Sequence, residues 1–383
     1  MYKVGLLTFH ASHNNGSMLQ ALALQTVLEK KYDCEVELIN FSNAGQQNMY
    51  SVLPKPNNFK RLIKNIIWRT NIKQLRKQFS AYHKFSQRYF HLSKKKYKKA
   101  EELKNCEEEY DAIITGSDQV WNVCCLDADD AYYLNFVQNK PKFAYAVSFG
   151  ANNPFETSGR GQDYVKYLES MDLISVREQN AKKWILKFAG IDVPLCLDPT
   201  MLYNKDEWEE IVDVGVAPII KGEYIFYYSF GINERIQKFL KWVSKRYGLP
   251  VYFMEAKEWT LKACWRNKIR LIKSYGPDVY MNVVKHAKLF ITTSFHGTAF
   301  ATIYHKNFWY INDKQEKNPK DDRAVSFLTQ LDLMERYRTI QDLKKTNLME
   351  NLDFSSADNA LITLKSQSFS FIDNIINRIY EKQ

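Results

Sequence analysis

An alternation of apolar strand-like and helix-like segments, which runs twice along the chain, constrains the fold more than any other feature. In the first run, segments typical of buried strands lie at 4–9, 36–40, 112–115, 143–148, 173–176 and 194–197. The alternation restarts at 224–229 and continues with strands at 251–254, 289–293 and 308–311. Helix-like segments such as 17–30, 179–188, 234–247 and 279–286 lie between them. This order predicts an α/β fold of two Rossmann-like domains in series, each with a parallel sheet covered by helices.

The length of the chain also favours two domains. With 383 residues, of which 45% are hydrophobic, it can form two ordinary cores. We place the first domain at 1–205 and the second at 206–383, with a terminal helix that packs back across them. The cleft between two such domains is the expected position of an active site.

The positive charge of the chain is concentrated in one segment. Residues 38–100 contain fifteen of the 54 basic residues and no Asp or Glu, which leaves 39 basic residues against all 43 acidic ones elsewhere. Apolar residues recur in this segment at near-helical spacing, at Leu62, Ile66, Ile72, Leu75, Phe79, Tyr82 and Tyr89. The pattern predicts a basic amphipathic helix or helical pair, inserted near 58–100 in the first domain.

Two interpretations of this insertion stay open. Its apolar stripe can pack on the protein while its charges are solvated, as in most helices of this kind. Because its charges have one sign, it can instead contact an anionic bilayer or a pyrophosphate-linked lipid. No nucleic-acid-binding motif accompanies the basic residues, so we do not expect nucleic acid as a partner.

The first residues, the apolar runs and the cysteines of the sequence indicate the cellular compartment. The first residues, MYKVGLLTFH, go directly into a predicted strand without a signal-peptide pattern, and no apolar run approaches a membrane span. We expect a cytoplasmic protein, peripheral at the inner membrane face if the insertion contacts lipid. The six cysteines lack disulfide-framework or CxxC spacing, so we expect reduced thiols and no structural zinc.

Polar residues follow the first predicted strand. Asn14, Asn15, Gly16 and Ser17 stand directly before a predicted helix, and His13 precedes them. The N–H groups at a helix start can receive an anion, although a plain N-cap with a turn glycine has the same pattern. We favour a ligand site here.

A second polar loop, GSDQVWN at 116–122, follows another predicted strand. A turn with a capped helix accounts for its first three residues but not for Gln119 and Trp121 as well. Trp121 can supply an apolar wall. Asp118 can bind a substrate hydroxyl or accept its proton.

Two more candidates lie at strand ends. The rigid cation of Arg177 suits a phosphate or carboxylate, although an Arg–Glu pair with Glu178 is often structural. His296 lies between Phe295 and Gly297, where a strand becomes a helix, and a histidine facing a cleft can donate or accept a proton. A buried, hydrogen-bonded histidine is the alternative.

One motif has the pattern of a metal site, but we do not interpret it as one. Asp127-Ala128-Asp129 matches the DxD pattern with which many sugar-nucleotide enzymes hold a metal. It lies in a polar stretch away from a strand end, so we interpret it as solvated surface and predict no metal.

Several of these stretches together resemble the polysaccharide pyruvyltransferase family. They are NNGS at 14–17, GSDQVWN at 116–122, YAVSFG at 145–150, SVRE at 175–178, LDPT at 197–200, GPDVYMNVVKHAK at 276–288 and SFHGTAFA at 294–301. The likeness extends from residue 2 to about residue 330. It implies a GT-B-like arrangement of the two domains, and transfer of pyruvate from phosphoenolpyruvate to two hydroxyls of a sugar as a cyclic ketal.

The resemblance also implies roles for the candidates. His296 is assigned as the general acid that protonates the donor methylene, and Asp118 as the group that orients the sugar diol. We assign donor binding to Asn15, Gly16, Ser17, Arg177, Ser294, Gly297 and Arg323, and acceptor binding to His13, Gln119 and Trp121. Phosphoenolpyruvate is a co-substrate, and no cofactor is expected.

The donor and acceptor of this assignment depend on two further features of the sequence. Many family members have an arginine where this chain has Ser294, so Arg323, Lys273 or Arg177 would have to replace that contact. The acceptors of the family are sugars of capsules, exopolysaccharides and cell-wall polymers, often linked to polyprenyl diphosphate, which agrees with a basic amphipathic insertion. A GT-B glycosyltransferase using a sugar nucleotide and a non-catalytic membrane-associated assembly factor are the alternatives.

Overall fold

The computed structural model describes residues 1–312 and 323–381, which form two parallel sheets. The first sheet consists of β1 (Lys3–Leu7), β2 (Glu35–Phe41), β3 (Leu92–Tyr97), β4 (Ala112–Asp118), β5 (Lys142–Val147) and β6 (Leu173–Val176). The second consists of β7 (Ile225–Tyr228), β8 (Val251–Phe253), β9 (Arg270–Leu271), β10 (Leu289–Thr292), β11 (Phe308–Ile311) and β12 (Tyr337–Arg338).

Helices cover both sheets. In chain order they are α1 (Asn15–Tyr32), α2 (Ala44–Tyr50), α3 (Phe59–Arg69), α4 (Ile72–Tyr89), α5 (Pro154–Thr157), α6 (Gly161–Glu169), α7 (Gln179–Ala189), α8 (Lys205–Ile211), α9 (Glu234–Tyr247), α10 (Ala256–Leu261), α11 (Pro277–His286), α12 (Phe295–Ile303), α13 (Arg323–Gln330), α14 (Ile340–Lys345) and α15 (Ser355–Glu381). The predicted fold of two Rossmann-like domains is thus confirmed. No helix among the described residues is long and apolar enough to span a bilayer.

The strand orders define where each sheet can hold a ligand. They are β3-β2-β1-β4-β5-β6 and β12-β11-β10-β7-β8-β9, with parallel pairing throughout. The chain changes direction of winding between β1 and β4 in the first sheet, and between β7 and β10 in the second. Open α/β sheets bind ligands at the carboxyl ends of the strands beside such a switch point.

Three strands of the structure, β3, β9 and β12, were absent from the sequence prediction, and one predicted strand forms only a bridge. β9 and β12 have two residues each, too few for a periodic signal. β3 is an edge strand whose central residues Lys94, Lys95 and Lys96 are exposed, so its sequence lacks the apolar signal of an inner strand. Lysines on an edge strand also hinder pairing with other chains. The predicted strand at 194–197 makes a single bridge, between Leu195 and Val176.

The acid-free insertion forms two helices that reach the second domain. The Trp68 indole on α3 donates a hydrogen bond to the Lys257 carbonyl at 3.0 Å, and the Asn71 amide donates to the Thr260 hydroxyl at 2.9 Å. These contacts bury Asn65 and Trp68 on one side of α3. The opposite side of α3 exposes large apolar side chains, at Phe59, Leu62, Ile63 and Ile66. We call these four residues the α3 apolar face.

Two helices connect the halves of the molecule. Residues 15–28 of α1 are all buried, as expected for a helix enclosed between layers. α15 follows the second sheet in sequence but contacts the first domain. There the Ser368 hydroxyl accepts a hydrogen bond from the Leu197 N–H at 2.9 Å, and the Tyr32 hydroxyl donates to Asp373 at 2.6 Å.

Candidate active site between the two sheets

Two helices begin at the switch points and meet in the cleft. α1 follows β1, and its N-cap Asn14 accepts hydrogen bonds from the Gly16 and Ser17 N–H groups at 3.0 and 3.3 Å. α12 follows β10, and its N-cap Ser294 accepts one from the Gly297 N–H at 3.4 Å. Both caps are ordinary, because short polar side chains satisfy the first free N–H groups of a helix.

Glycine at position 16 permits the close approach of these helices. A Cβ atom there would overlap Cβ, Cγ and Nδ1 of His296. Gly297 is similarly constrained, since a Cβ would overlap the Thr292 hydroxyl. The positive ends of two helix dipoles therefore converge on His296, an arrangement that attracts an anion.

A buried ion cluster lies next to the histidine. The Arg177 guanidinium forms ion pairs with Asp198 and, at 3.3 Å, with Asp118, while Glu178 lies 3.8 Å from its Nε. Its side chain is only 1% exposed and stacks over Phe295 with its carbon 4.5 Å from the ring centre. Arg177 thus has carboxylate partners on loops of the first domain, and its contact with Phe295 joins this clamp to the second domain.

The electrostatics of the two aspartates follow from these contacts. Burial alone would raise their pKa values, but positive neighbours prevail. His296, whose Nε2 lies 3.4 Å from Asp198, and Arg177 hold the pKa of Asp198 below its ordinary value, with help from Thr200. Arg177, His296 and a hydrogen bond from the Ser17 hydroxyl lower the pKa of Asp118. Both carboxyl groups are therefore ionised at neutral pH.

The Oδ1 of Asn15 is one of several buried polar atoms in the cleft without a hydrogen-bond partner among the described residues. Asn15 is fully buried, and its Nδ2 donates to the Met254 sulfur at 3.4 Å. Its Oδ1 accepts no hydrogen bond from the described part of the chain. Buried polar atoms are normally satisfied, so this oxygen points to a ligand or water at the start of α1.

The structure divides the residues predicted from sequence into groups. It brings together Asn15, Gly16, Ser17, Asp118, Arg177, Ser294, His296 and Gly297 around the two helix starts. Arg323 is the first residue of α13. Burial raises the pKa of the Cys125 thiol, and the charge of Arg323 opposes that rise. Gln119 accepts a hydrogen bond from Asn122 at 2.8 Å beside Asp118.

His13 lies apart from His296. Its ring stacks on Tyr82 of α4 with centroids 5.1 Å apart, and burial lowers its pKa to about 3. Trp121 does not form the exposed wall that the sequence suggested. Its ring is 1% exposed, stacks on Tyr133 and donates to the Tyr132 carbonyl, because a large apolar ring gains most by filling the core.

Asp127 corrects a second prediction from sequence. It is 4% exposed rather than solvated, and it accepts a hydrogen bond from the Gln46 amide at 3.2 Å. Asp129 instead caps a short helical turn at Ala131. The DxD stretch is thus a structural loop, and within the described residues no group of His, Cys, Asp or Glu is arranged to hold a metal ion.

Two residues of the site, Asp198 and Tyr228, were not predicted from the sequence. Asp198 is the partner of Arg177 and His296. Its signal was its position in the LDPT stretch, directly after a predicted strand, where cleft residues lie. Tyr228 ends β7, and its hydroxyl lies beside Asn15 and the Gly16 backbone. An aromatic residue at a strand end has no distinctive signal, so only the structure identifies it.

The segments that form this site match a known protein family. Residues 14–315 match the family model of polysaccharide pyruvyl transferase, which covers more than half of the chain.

The chain belongs to the polysaccharide pyruvyl transferase family.

Solved structures share its fold at low sequence identity. MnaA of S. aureus, in complex with UDP, matches with a TM-score of 0.51 and 12% identity over 100% of this chain and 90% of that one. A UDP-GlcNAc 2-epimerase of Methanocaldococcus jannaschii, in complex with UDP-GlcNAc and UDP, has a TM-score of 0.50 and 12% identity over 96% and 99%. A putative UDP-N-acetylglucosamine 2-epimerase of Listeria monocytogenes has 0.50 and 10% over 94% and 90%. These likenesses show the GT-B-like fold of this pyruvyl transferase. Among curated proteins no sequence matches it significantly.

Proposed function

We propose that this pyruvyl transferase moves pyruvate from phosphoenolpyruvate onto two hydroxyls of a sugar, forming a cyclic ketal. The observation that carries the proposal is the meeting of two helix N-termini at His296, across the switch points of both sheets. Phosphoenolpyruvate has a phosphate and a carboxylate, and two converging helix starts offer one positive end to each.

The residues around His296 provide for the chemistry of the donor. His296 donates a proton to the methylene carbon, which becomes a methyl group while C2 becomes electrophilic. Asp198, ionised and 3.4 Å from Nε2, orients the imidazole. Arg177 balances the buried carboxylates and acts on the reaction through Asp198 and Asp118.

Atoms balance over the two steps. The first sugar hydroxyl bonds to C2, and its proton replaces the one that His296 gave to the methylene carbon. The second hydroxyl then bonds to C2 as the bond from C2 to the phosphate oxygen breaks. The second proton leaves with inorganic phosphate.

The α3 apolar face supports an acceptor attached to a lipid. Its four members are spaced i, i+3, i+4 and i+7, and Phe59 and Ile66 are 74% and 55% exposed. Lys60, Lys64 and Arg69 flank it, and residues 38–100 contain no acid. An apolar face bordered by cations fits the interface of an anionic bilayer. We infer that α3 holds the enzyme at a membrane surface where a lipid-linked sugar is presented.

Thermal unfolding with added ligands tests the donor. Phosphoenolpyruvate at a hundred times its dissociation constant adds about 2.7 kcal/mol of stability, whereas inorganic phosphate and UDP-GlcNAc serve as controls. His296→Ala should lose the shift, and His305→Ala, in the exposed turn after α12, should keep it. Stabilisation by UDP-GlcNAc alone would favour a glycosyltransferase, and a silent His296→Ala would favour a non-catalytic role.

A further inference from the structure

A second cavity lies beside the loop before α1, between the helices α2, α3 and α4 and the second domain. Its volume is about 230 Å³, equivalent to roughly eight water molecules in the liquid. Tyr50, Trp68 and Phe79 contribute aromatic walls, and Arg61 and Lys64 contribute positive charge. A cavity of this size accommodates one sugar ring better than a nucleotide sugar.

Glu255 is the carboxyl group of this cavity. It follows β8, at the carboxyl edge of the second sheet, and accepts a hydrogen bond from the Gln78 amide of α4 at 3.3 Å. Burial raises the pKa of Glu255 to about 7, although the Gln78 hydrogen bond and the charge of Lys257 lower it. A carboxyl group in this range can exchange a proton near neutral pH.

The cavity adjoins the cleft through α1. Asn15 contacts Met254, the residue before Glu255, and the next residue, Gly16, contacts His296. The charges of Glu255 and of the cleft residue Asp118 both act on the Tyr50 and Tyr228 hydroxyls, so both carboxyl groups lie near these two rings. A sugar in the cavity can therefore present hydroxyls toward a donor held at His296.

The carboxylates of the cleft have other partners. Asp118 accepts hydrogen bonds from Ser17 and the Gln119 N–H and pairs with Arg177. Asp198 pairs with the same arginine and accepts from Thr200. Their lowered pKa values also make them weak bases. The acceptor thus needs a base from another part of the site.

Building on the proposed pyruvyl transfer, we propose that this cavity binds the acceptor sugar and that Glu255 binds one hydroxyl of its diol and removes the proton. Aromatic walls with a few polar groups are typical of small-ligand sites. Arg61 and Lys64 lie where they can meet a phosphate on the carrier of that sugar. The proton that Glu255 takes from the first hydroxyl passes through solvent to His296 and replaces the one given to the methylene carbon, while the sugar oxygen forms its bond to C2.

Charged and titratable groups facing Glu255 come from several elements. They are Lys257 and Glu258 on α10, Arg61 and Lys64 on α3, and His13 in the loop before α1. Burial lowers the pKa of Lys257 to about 8 and that of His13 to about 3. His13 is therefore neutral across the working range, and Glu255 is the group expected to set the acid side of the pH profile.

The test combines donor binding with turnover. Wild type, Glu255→Gln, Gln78→Leu and the surface control Glu223→Gln are compared for phosphoenolpyruvate-induced thermal shift. The same variants are compared for phosphate release with p-nitrophenyl glycosides of galactose, mannose and N-acetylmannosamine. Glu255→Gln should keep the donor shift and lose about 10²- to 10⁴-fold in kcat/KM, as for loss of a general base.

Gln78→Leu keeps the proposal testable if Glu255→Gln does not fold. Without the Gln78 hydrogen bond the pKa of Glu255 rises, so the acid limb of the kcat/KM profile should move to higher pH. An unmoved limb, turnover of Glu255→Gln equal to that of Glu223→Gln, or refusal of every glycoside by a donor-binding wild type would overturn the acceptor site. Absence of any donor shift in the wild type would instead overturn the proposed function on which it rests.

Discussion

Gly16→Ala gives the sharpest test of the contact between the two helix starts. The added methyl carbon would lie 2.5 Å from the Cβ of His296, whereas carbon atoms in contact are about 3.5 to 4.0 Å apart. The overlapping atoms are the root of the histidine side chain, so a change of rotamer does not relieve the overlap. Either the ring or the second domain must move by at least about 1 Å.

We expect Gly16→Ala to lower the activity of the enzyme rather than its stability. A displacement of about 1 Å at reacting groups can reduce turnover about 100-fold, or about 2.7 kcal/mol of transition-state stabilisation. Alanine has the higher helix propensity, by up to about 1 kcal/mol in a helix interior, so the fold of α1 should persist. We expect a strong loss of kcat/KM and of the phosphoenolpyruvate-induced shift, with little change in the circular dichroism of the protein.

Gly231→Ala is the matched control, since a Cβ there meets nothing within 4 Å. Both variants are assayed for phosphate release and for donor-induced thermal shift. If Gly16→Ala turns over within about threefold of Gly231→Ala and binds the donor equally well, the two helix starts do not meet in the working enzyme.

Three further predictions concern stability and membranes. Asp198→Asn removes a partner of the buried Arg177, so urea unfolding should show a loss of about 3 to 5 kcal/mol; an unchanged midpoint would contradict the clamp. The folded pKa values of Asp118 and Asp198 lie below the unfolded value of about 3.9, so their stabilisation is complete above that pH and is lost as the pH falls through the folded values. Unfolding measured between about pH 2 and 5 should therefore show a steeper acid loss in the wild type than in Asp198→Asn, and parallel curves would refute this. Phe59→Ser should weaken co-sedimentation with anionic phosphatidylglycerol vesicles about tenfold, because one large apolar side chain is no longer buried in the bilayer. The control Leu186→Ser on α7 should bind the vesicles as the wild type does. Equal binding by both variants would exclude the α3 apolar face as the contact.

The fold could be predicted from sequence because its signals are local. Apolar runs of strand length and helix periodicity are properties of neighbouring residues, and most inner strands lie within two residues of their predicted bounds. β3 was missed because an edge strand carries lysines rather than an apolar run.

The site was harder to predict because its contacts join distant segments. His296 and Asp118 stood out at strand ends, but nothing local indicates that Arg177 is occupied by Asp198, or that Gly16 packs on a histidine 280 residues away. The α3 periodicity predicted an amphipathic helix correctly. It could not show that the apolar side faces solvent, because that depends on Trp68 binding the second domain.

The course of α15 has a mechanical consequence. The polypeptide leaves the first domain after Leu202, builds the second sheet, and returns through α15, whose Tyr380 ring lies 4.6 Å from that of Tyr2. Two backbone spans therefore join the halves, so any opening of the cleft has to bend both of them. His296 is 5% exposed, so we expect the halves to part when substrates enter and when product leaves. Because both spans must bend together, this opening is the step expected to limit turnover.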